Sequence, residues 1–135
     1  MNSKLFVILG VALSLSILPS EAKHRRGHVR HAHYDSGSVV GHPSGCPARL
    51  FCGCGAAVRV FGTPRRDLWL AANWLRYPRA HPAPGMVAAR HGHVFVIEQV
   101  LGNGNVIAYD ANSGGGRTRI HQVSLRGYTV VNPRG

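Results

Sequence analysis

Acidic residues are scarce in this sequence. Five Asp and Glu stand against sixteen Lys and Arg, which gives a net charge of +11 with the histidines neutral. A protein this basic is attracted to anionic surfaces such as phospholipid headgroups, acidic wall polymers and nucleic acid. Aromatic residues are also few, at 7%, and they are not interleaved with basic residues as in single-strand binders. We therefore expect adhesion to anionic envelope material and no specific nucleic-acid partner.

The sequence has no apolar run long enough to span a bilayer comfortably, which takes roughly 20 residues. Its longest apolar run, Leu5–Leu18, follows Lys4 and precedes the small residues around Ser20 and Ala22. This order is typical of a secretory signal peptide cleaved after Ala22, although an uncleaved membrane anchor is the alternative. Residues 1–22 are thus predicted to be a signal peptide, and the mature protein is expected to be exported without a stable membrane span.

Large apolar residues are rare in the next segment, residues 23–45. This stretch is rich in His, Arg, Gly and Ser and holds five of the nine histidines, so we predict a flexible basic arm. His-rich tracts can bind metal, but Asp35 is the only carboxylate nearby, and no dedicated metal site is expected. The composition changes at Cys46, and residues 46–135 are long enough for one small domain.

Cysteine is also rare, with only Cys46, Cys52 and Cys54. There is no second Cys-x-Cys pair and no usual structural-zinc spacing. In an exported chain an odd number indicates a free thiol or an intermolecular bond, and residues two positions apart rarely meet disulfide geometry. The expected arrangement is a Cys46–Cys52 disulfide with Cys54 free. Two alternatives stay open: three ordinary buried thiols, or a metal or redox site built from Cys52, Cys54 and histidines.

The periodicity of residues 46–135 predicts helices followed by strands. Residues 54–61 have helical spacing and end at Gly62, and a second helix is predicted over residues 64–77. Alternating apolar segments then predict strands, with a hairpin turn over Gly102–Asn105. The predicted strands cover residues 86–90, 93–101, 106–110, 117–123 and 126–132. The fold class is therefore α+β, with N-terminal helices packed on an antiparallel β-meander.

Cys54 lies where the predicted loop becomes the first helix. Backbone N–H groups and the positive end of the helix dipole stabilise a thiolate at such a position, and the same groups can hold an oxyanion. A thiol nucleophile needs a base, usually histidine. Outside the arm the candidates are His81, His91, His93 and His121, and His93 opens an apolar strand. A surface or capping role is the alternative for any lone histidine.

Four segments follow one another along the chain: a cysteine followed by small residues, a Pro-Gly with a strand, a His-Val with a strand, and a polar residue after the next strand. They are Cys54–Val58, Pro84–Ala89, His93–Ile97 and Val106–Asn112. The order resembles the papain-like NlpC/P60 and CHAP group, over about residues 46–131. The sequence departs from that pattern where Met86 replaces the usual Asp.

The resemblance implies a papain-like fold and a Cys-His-Asn site. It makes Cys54 the nucleophile, His93 the general base and Asn112 the residue that orients the imidazole, with Asp110 as second choice. The pattern can also be aligned on Cys52, which then puts Gly55 and Ala56 where the family has larger apolar residues.

The resulting functional expectation is an exported cysteine peptidase or amidase that acts on peptidoglycan stem peptides and needs no cofactor or metal. A non-catalytic envelope-binding module on the same fold is one alternative. A Cys/His metal-binding or redox protein is the other. The sequence indicates nothing about oligomeric state.

Overall fold

The computed structural model describes residues 37–135. The predicted signal peptide and residues 23–36 of the predicted arm lie outside the described residues. One α-helix, two short 3-10 helices and six strands follow in the order β1 (Ser38–Val40), α1 (Cys52–Phe61), η1 (Arg66–Leu68), η2 (Ala71–Arg76), β2 (Val87–Arg90), β3 (His93–Gly102), β4 (Asn105–Ser113), β5 (Arg117–Ser124) and β6 (Thr129–Val131). Within residues 37–135, no helix is long and apolar enough to cross a membrane.

The strands form one antiparallel sheet in the order β1-β5-β4-β3-β2-β6. The meander from β2 to β5 follows the predicted order, and β6 returns to the outer edge of β2. The β3–β4 hairpin turns at Asn103 and Gly104, both at positive φ, as a tight two-residue turn requires. The α+β class predicted from the sequence is confirmed.

The two sheet faces bury different side chains, because neighbouring residues of a strand point to opposite sides. On the helix face, side chains such as Val94, Val96 and Ala111 pack with α1 and the 3-10 helices. On the opposite face, Phe95, Ile97 and Ala108 belong to a second apolar cluster. The fully buried Trp74 of η2 anchors the helix side and donates its indole N–H to the Leu68 carbonyl at 2.9 Å.

The structure differs from the predicted elements in two places. Ser38–Val40 pairs with β5 as an edge strand, so the folded domain begins before the predicted boundary at residue 45. The predicted helix over residues 64–77 is divided into two 3-10 helices at Leu70, whose backbone is extended. The Leu68 carbonyl serves the Trp74 indole instead of a helical N–H, which explains why the helical pattern does not continue through Leu70.

Candidate active site

The helix that carries the cysteines begins earlier than predicted. α1 starts at Cys52, and its first hydrogen bond runs from Gly55 N–H to the Phe51 carbonyl at 2.7 Å. Phe51 has no side-chain oxygen and provides no cap, so the N–H groups of the first turn have no side-chain partner there. The helix-start environment predicted for Cys54 therefore belongs to Cys52.

The disulfide joins Cys46 to Cys54, with their Cα atoms 5.7 Å apart. The predicted Cys46–Cys52 pairing is wrong, and Cys54 has no free thiol to act as the predicted nucleophile. Two residues along a helix are separated by about 200° of rotation, so Cys52 and Cys54 point in different directions. Cys52 is the free cysteine of the described residues, and it is buried, with 6% of its surface exposed.

Two glycines let the start of α1 approach its neighbours closely. A Cβ on Gly53 would lie 2.2 Å from the Leu68 carbonyl oxygen and 2.3 Å from that of Trp69. A Cβ on Gly55 would lie 2.3 Å from the Ala111 Cβ on β4. All three distances are shorter than side chains tolerate. The alternating Cys-Gly-Cys-Gly therefore brings the Cys52 turn against the end of β4, beside Asp110.

His93, the first residue of β3, connects Cys52 to a carboxylate. Its Nε2–H donates to Asp110 Oδ1 at 2.7 Å, which leaves Nδ1 as the ring nitrogen that can face a thiol. The hydrogen bond with Asp110, and after it a hydrogen bond with Cys52, raise the pKa of His93 from 6.5 to about 9, against the opposing effect of burial. His93 is thus an imidazolium at neutral pH, and it lies close enough to the Cys52 thiol for that thiol to raise its pKa.

Asp110 lies near the end of β4, is 4% exposed, and accepts from more than one donor. His121 of β5 donates through Nε2 to the second carboxylate oxygen at 2.8 Å. Burial raises the pKa of Asp110, but the hydrogen bonds from His93, His121 and Ser113 outweigh burial and lower it overall. Arg119 in turn donates to the Ser113 hydroxyl at 2.8 and 3.1 Å. The carboxylate is therefore held ionised and fixed in orientation.

These three residues occupy adjacent strands on one face of the sheet. His93 lies two residues from Phe95 in β3, and Asp110 lies two residues from Ala108 in β4, so each pair shares a face. His121 pairs with Ala108 across the β4–β5 ladder and lies on the same face. Their side chains consequently project from the face that carries Phe95 and Ala108, which is opposite to the helix face, at the end of the sheet where β3 begins. Cys52 belongs to the cluster on the helix face, and it comes near this group at that end of the sheet.

The structure brings together some of the predicted site residues and separates others. His93 and Asp110 are in contact, whereas Asn112 makes no hydrogen bond with His93 among the described residues. The prediction that Asn112, rather than Asp110, orients the His93 ring is therefore wrong. The ladder is irregular between Asp110 and Ser113, and Asn112 has a left-handed backbone with φ of 56°. The sequence predicts His121 only as a possible base. His121 shares Asp110 with His93 because of the register between β4 and β5, and the glycine-rich loop at residues 114–116 makes this register hard to predict from the sequence.

A metal site built from Cys52 and Cys54 is not compatible with this arrangement, because the Cys54 sulfur is bonded to Cys46. Within residues 37–135, no group of three His, Cys, Asp or Glu side chains is arranged to hold a metal ion. The chemistry that the cluster can perform is thiol chemistry assisted by an imidazole.

Comparisons with protein-family models, with curated proteins and with solved structures found no match. The functional argument therefore depends on the geometry of Cys52, His93 and Asp110.

Proposed function

We propose that this protein is a cysteine hydrolase of the peptidase or amidase class, with Cys52 as nucleophile, His93 as acid and base, and Asp110 as the residue that orients His93. The observation that carries the proposal is a free thiol at a helix start, near enough to His93 to raise the pKa of an imidazole that a buried carboxylate holds at 2.7 Å. Nucleophile, base and orienting group in this order are the elements of a catalytic triad.

The first half of the reaction uses the proton on His93. Cys52 reacts as a thiolate beside the imidazolium, and its sulfur attacks the carbonyl carbon of an amide. First-turn N–H groups of α1, with that of Cys52 foremost, stabilise the developing oxyanion. The proton on His93 Nδ1 passes to the leaving amine as the C–N bond breaks. The products are a free amine and an acyl group on Cys52.

The second half restores the site. Neutral His93 takes a proton from water, and the hydroxide attacks the thioester carbon. The C–S bond breaks, and the acid product leaves with Cys52 as thiolate and His93 as imidazolium. Asp110 keeps Nε2 protonated throughout, so that Nδ1 is always the nitrogen that faces the reaction.

Peptidoglycan stem peptides are the proposed substrates and export is the proposed destination, both from the resemblance in sequence. The positive charge of the domain supports attraction to anionic material, because residues 37–135 contain eleven arginines and three acidic residues. The same charge distribution favours the second candidate function, a non-catalytic module that binds anionic envelope material.

Labelling and turnover distinguish these functions. Unreduced protein is treated with iodoacetamide and mapped by mass spectrometry, and the expected result is one modified thiol, at Cys52, which disappears in Cys52→Ser. Wild type and Cys52→Ser are then incubated with peptidoglycan fragments, and newly released amines are counted. Release by wild type alone supports the hydrolase. Binding without release by either protein supports the envelope module, and labelling at Cys54 would contradict the disulfide assignment.

A further inference from the structure

Arg90 lies beside the proposed site on the same face of the sheet. It is the last residue of β2 and pairs directly with His93 in the β2–β3 ladder. Side chains of paired residues project from the same side, with Cβ atoms about 5 Å apart. Arg90 is exposed, and its guanidinium carbon lies 4.7 Å from the centre of the Tyr128 ring. Phe95 holds that ring from another side, at 4.7 Å between centroids.

Tyr128 contacts Arg90 and is affected by the charged groups of the proposed site. Burial is the main reason that the pKa of Tyr128 is raised, Arg90 opposes that rise, and the charges of Asp110 and Cys52 add to it. The phenol therefore lies close enough to Arg90, Asp110 and Cys52 to be affected by all three. One end of the sheet thus holds the thiol, the imidazole and an arginine.

No carboxylate of the described residues neutralises Arg90. Glu98 pairs with Arg59 at 2.7 Å, and Asp67 pairs with Arg65 at 2.9 Å. The third acidic side chain, Asp110, accepts from His93 and His121. Stacking on an aromatic ring restricts a guanidinium but leaves its N–H edge free, in the planar geometry that a carboxylate accepts. Arg90 is thus a preorganised cation on the residue paired with His93, at the end of the sheet that holds the proposed site.

We propose that Arg90, stacked on Tyr128, forms an anion subsite that binds a carboxylate of the substrate next to the bond that Cys52 attacks. The inference rests on the proposed function and narrows its substrate class to acidic peptides. A substrate with a carboxylate near the scissile amide is bound and oriented through Arg90, and a neutral analogue loses this contact.

Two small electrophiles of similar size test the subsite. Iodoacetate carries a carboxylate and iodoacetamide a neutral amide. The rate at which iodoacetate labels Cys52, divided by the rate for iodoacetamide, therefore measures anion preference separately from thiol reactivity. The ratio is expected to fall about tenfold in Arg90→Ala, the loss expected for one charge-assisted hydrogen bond, and less in Arg90→Lys. Arg76→Ala is the matched control, because it removes the same charge from η2, which carries no site residue. A ratio unchanged in Arg90→Ala, or lowered equally in Arg76→Ala, overturns the proposal.

A second measurement does not need a reactive thiol. N-acetylglutamate is titrated into the Cys52→Ser protein, and the side-chain Nε–H resonance of Arg90 is followed by NMR. A saturable shift that Arg76→Ala retains supports the subsite, and no shift at Arg90 overturns it. If iodoacetamide fails to label Cys52 while this shift is present, the proposed hydrolase fails and the anion subsite stands.

Discussion

Asp110 accepts from two imidazoles, and the two histidines have different surroundings. His93 contacts one carboxylate oxygen and lies near the Cys52 thiol, which adds to the rise of its pKa, whereas the His121 ring contacts the other carboxylate oxygen. The role of each histidine is therefore set by its strand position. The high pKa of His93 depends mainly on Asp110, so the proton needed by the proposed reaction is controlled by that one carboxylate.

Replacing Asp110 should lower the pKa of His93 toward the ordinary value of histidine. In Asp110→Asn the pKa of His93 is expected to fall from about 9 toward 6.5, because the charged acceptor that stabilises the imidazolium is gone. An NMR titration of the His93 ring protons measures the change. Asn112→Gly is the matched control, since it removes the amide first expected to hold His93 and suits the left-handed backbone at that position. A fall in Asn112→Gly and none in Asp110→Asn would reverse the assignment.

His121 is expected to act as a positioning residue. Without it, one oxygen of the buried Asp110 loses its donor, and the carboxylate can turn away from His93. The rate of iodoacetamide labelling at Cys52 should fall about tenfold in His121→Ala, a typical cost for a group that supports a site residue. His121→Gln keeps an N–H donor and should recover most of the rate. Equal losses in both variants would show that packing, not the hydrogen bond, is what matters.

At the scale of elements, the start of α1 is fixed by contacts rather than by a cap. Gly53 faces the Leu68 and Trp69 carbonyls, and Gly55 faces Ala111. These contacts place Cys52 over the strand ends that carry His93 and Asp110. The Cys46–Cys54 disulfide holds the preceding loop to the same turn.

Gly53→Ala should therefore displace this turn. The added methyl would meet backbone carbonyls, which cannot move independently, and a destabilisation of about 1–3 kcal/mol is expected. Gly41→Ala is the control, because nothing lies within 4 Å of its Cβ position, and its effect should stay within about 0.5 kcal/mol. Urea unfolding at constant pH measures both. Equal stability of the two variants would contradict the close approach at Gly53.

The sequence was informative where a local rule decides the structure. Gly62 ends α1 in the left-handed conformation, and Asn103-Gly104 makes the predicted hairpin. The disulfide could not be deduced, because moving the helix start by two residues exchanges the surroundings of Cys52 and Cys54. Asp110 could not be separated from Asn112 for a similar reason: an irregular ladder lies between Asp110 and Ser113, and alternation does not reveal it. The division of the second helix depends on tertiary contacts of the Leu68 carbonyl.

For the whole molecule, charge is distributed very unequally between the core and the surface. Within residues 37–135 the arginines lie at intermediate or exposed positions, and Asp110 is the one buried acidic residue. The stability of the domain should consequently depend on pH through the Asp110 cluster more than through the surface pairs, which are exposed and contribute little.

The pH dependence of stability follows from the direction of each shift. His93 has a pKa raised from 6.5 to about 9, so its contribution is fully present below pH 6.5 and is lost as pH rises toward 9. Asp110 has a lowered pKa, so its contribution is present above its unfolded value of 3.8 and is lost as pH falls through its folded value. Stability should be greatest between these limits, in weakly acidic solution.

The alkaline limb can be assigned to His93 by comparison with His93→Gln. A shift of this size corresponds to at most about 3 kcal/mol of unfolding free energy, and solvent screening of the partly exposed ring reduces it. Wild type should lose this contribution between pH 6.5 and 9. His93→Gln should be less stable at pH 6.5, because the imidazolium is gone, and nearly flat over the same interval. Urea unfolding across that range, with the disulfide intact, gives both curves. Parallel curves would mean that another group titrates there and that His93 is not held as an imidazolium by Asp110.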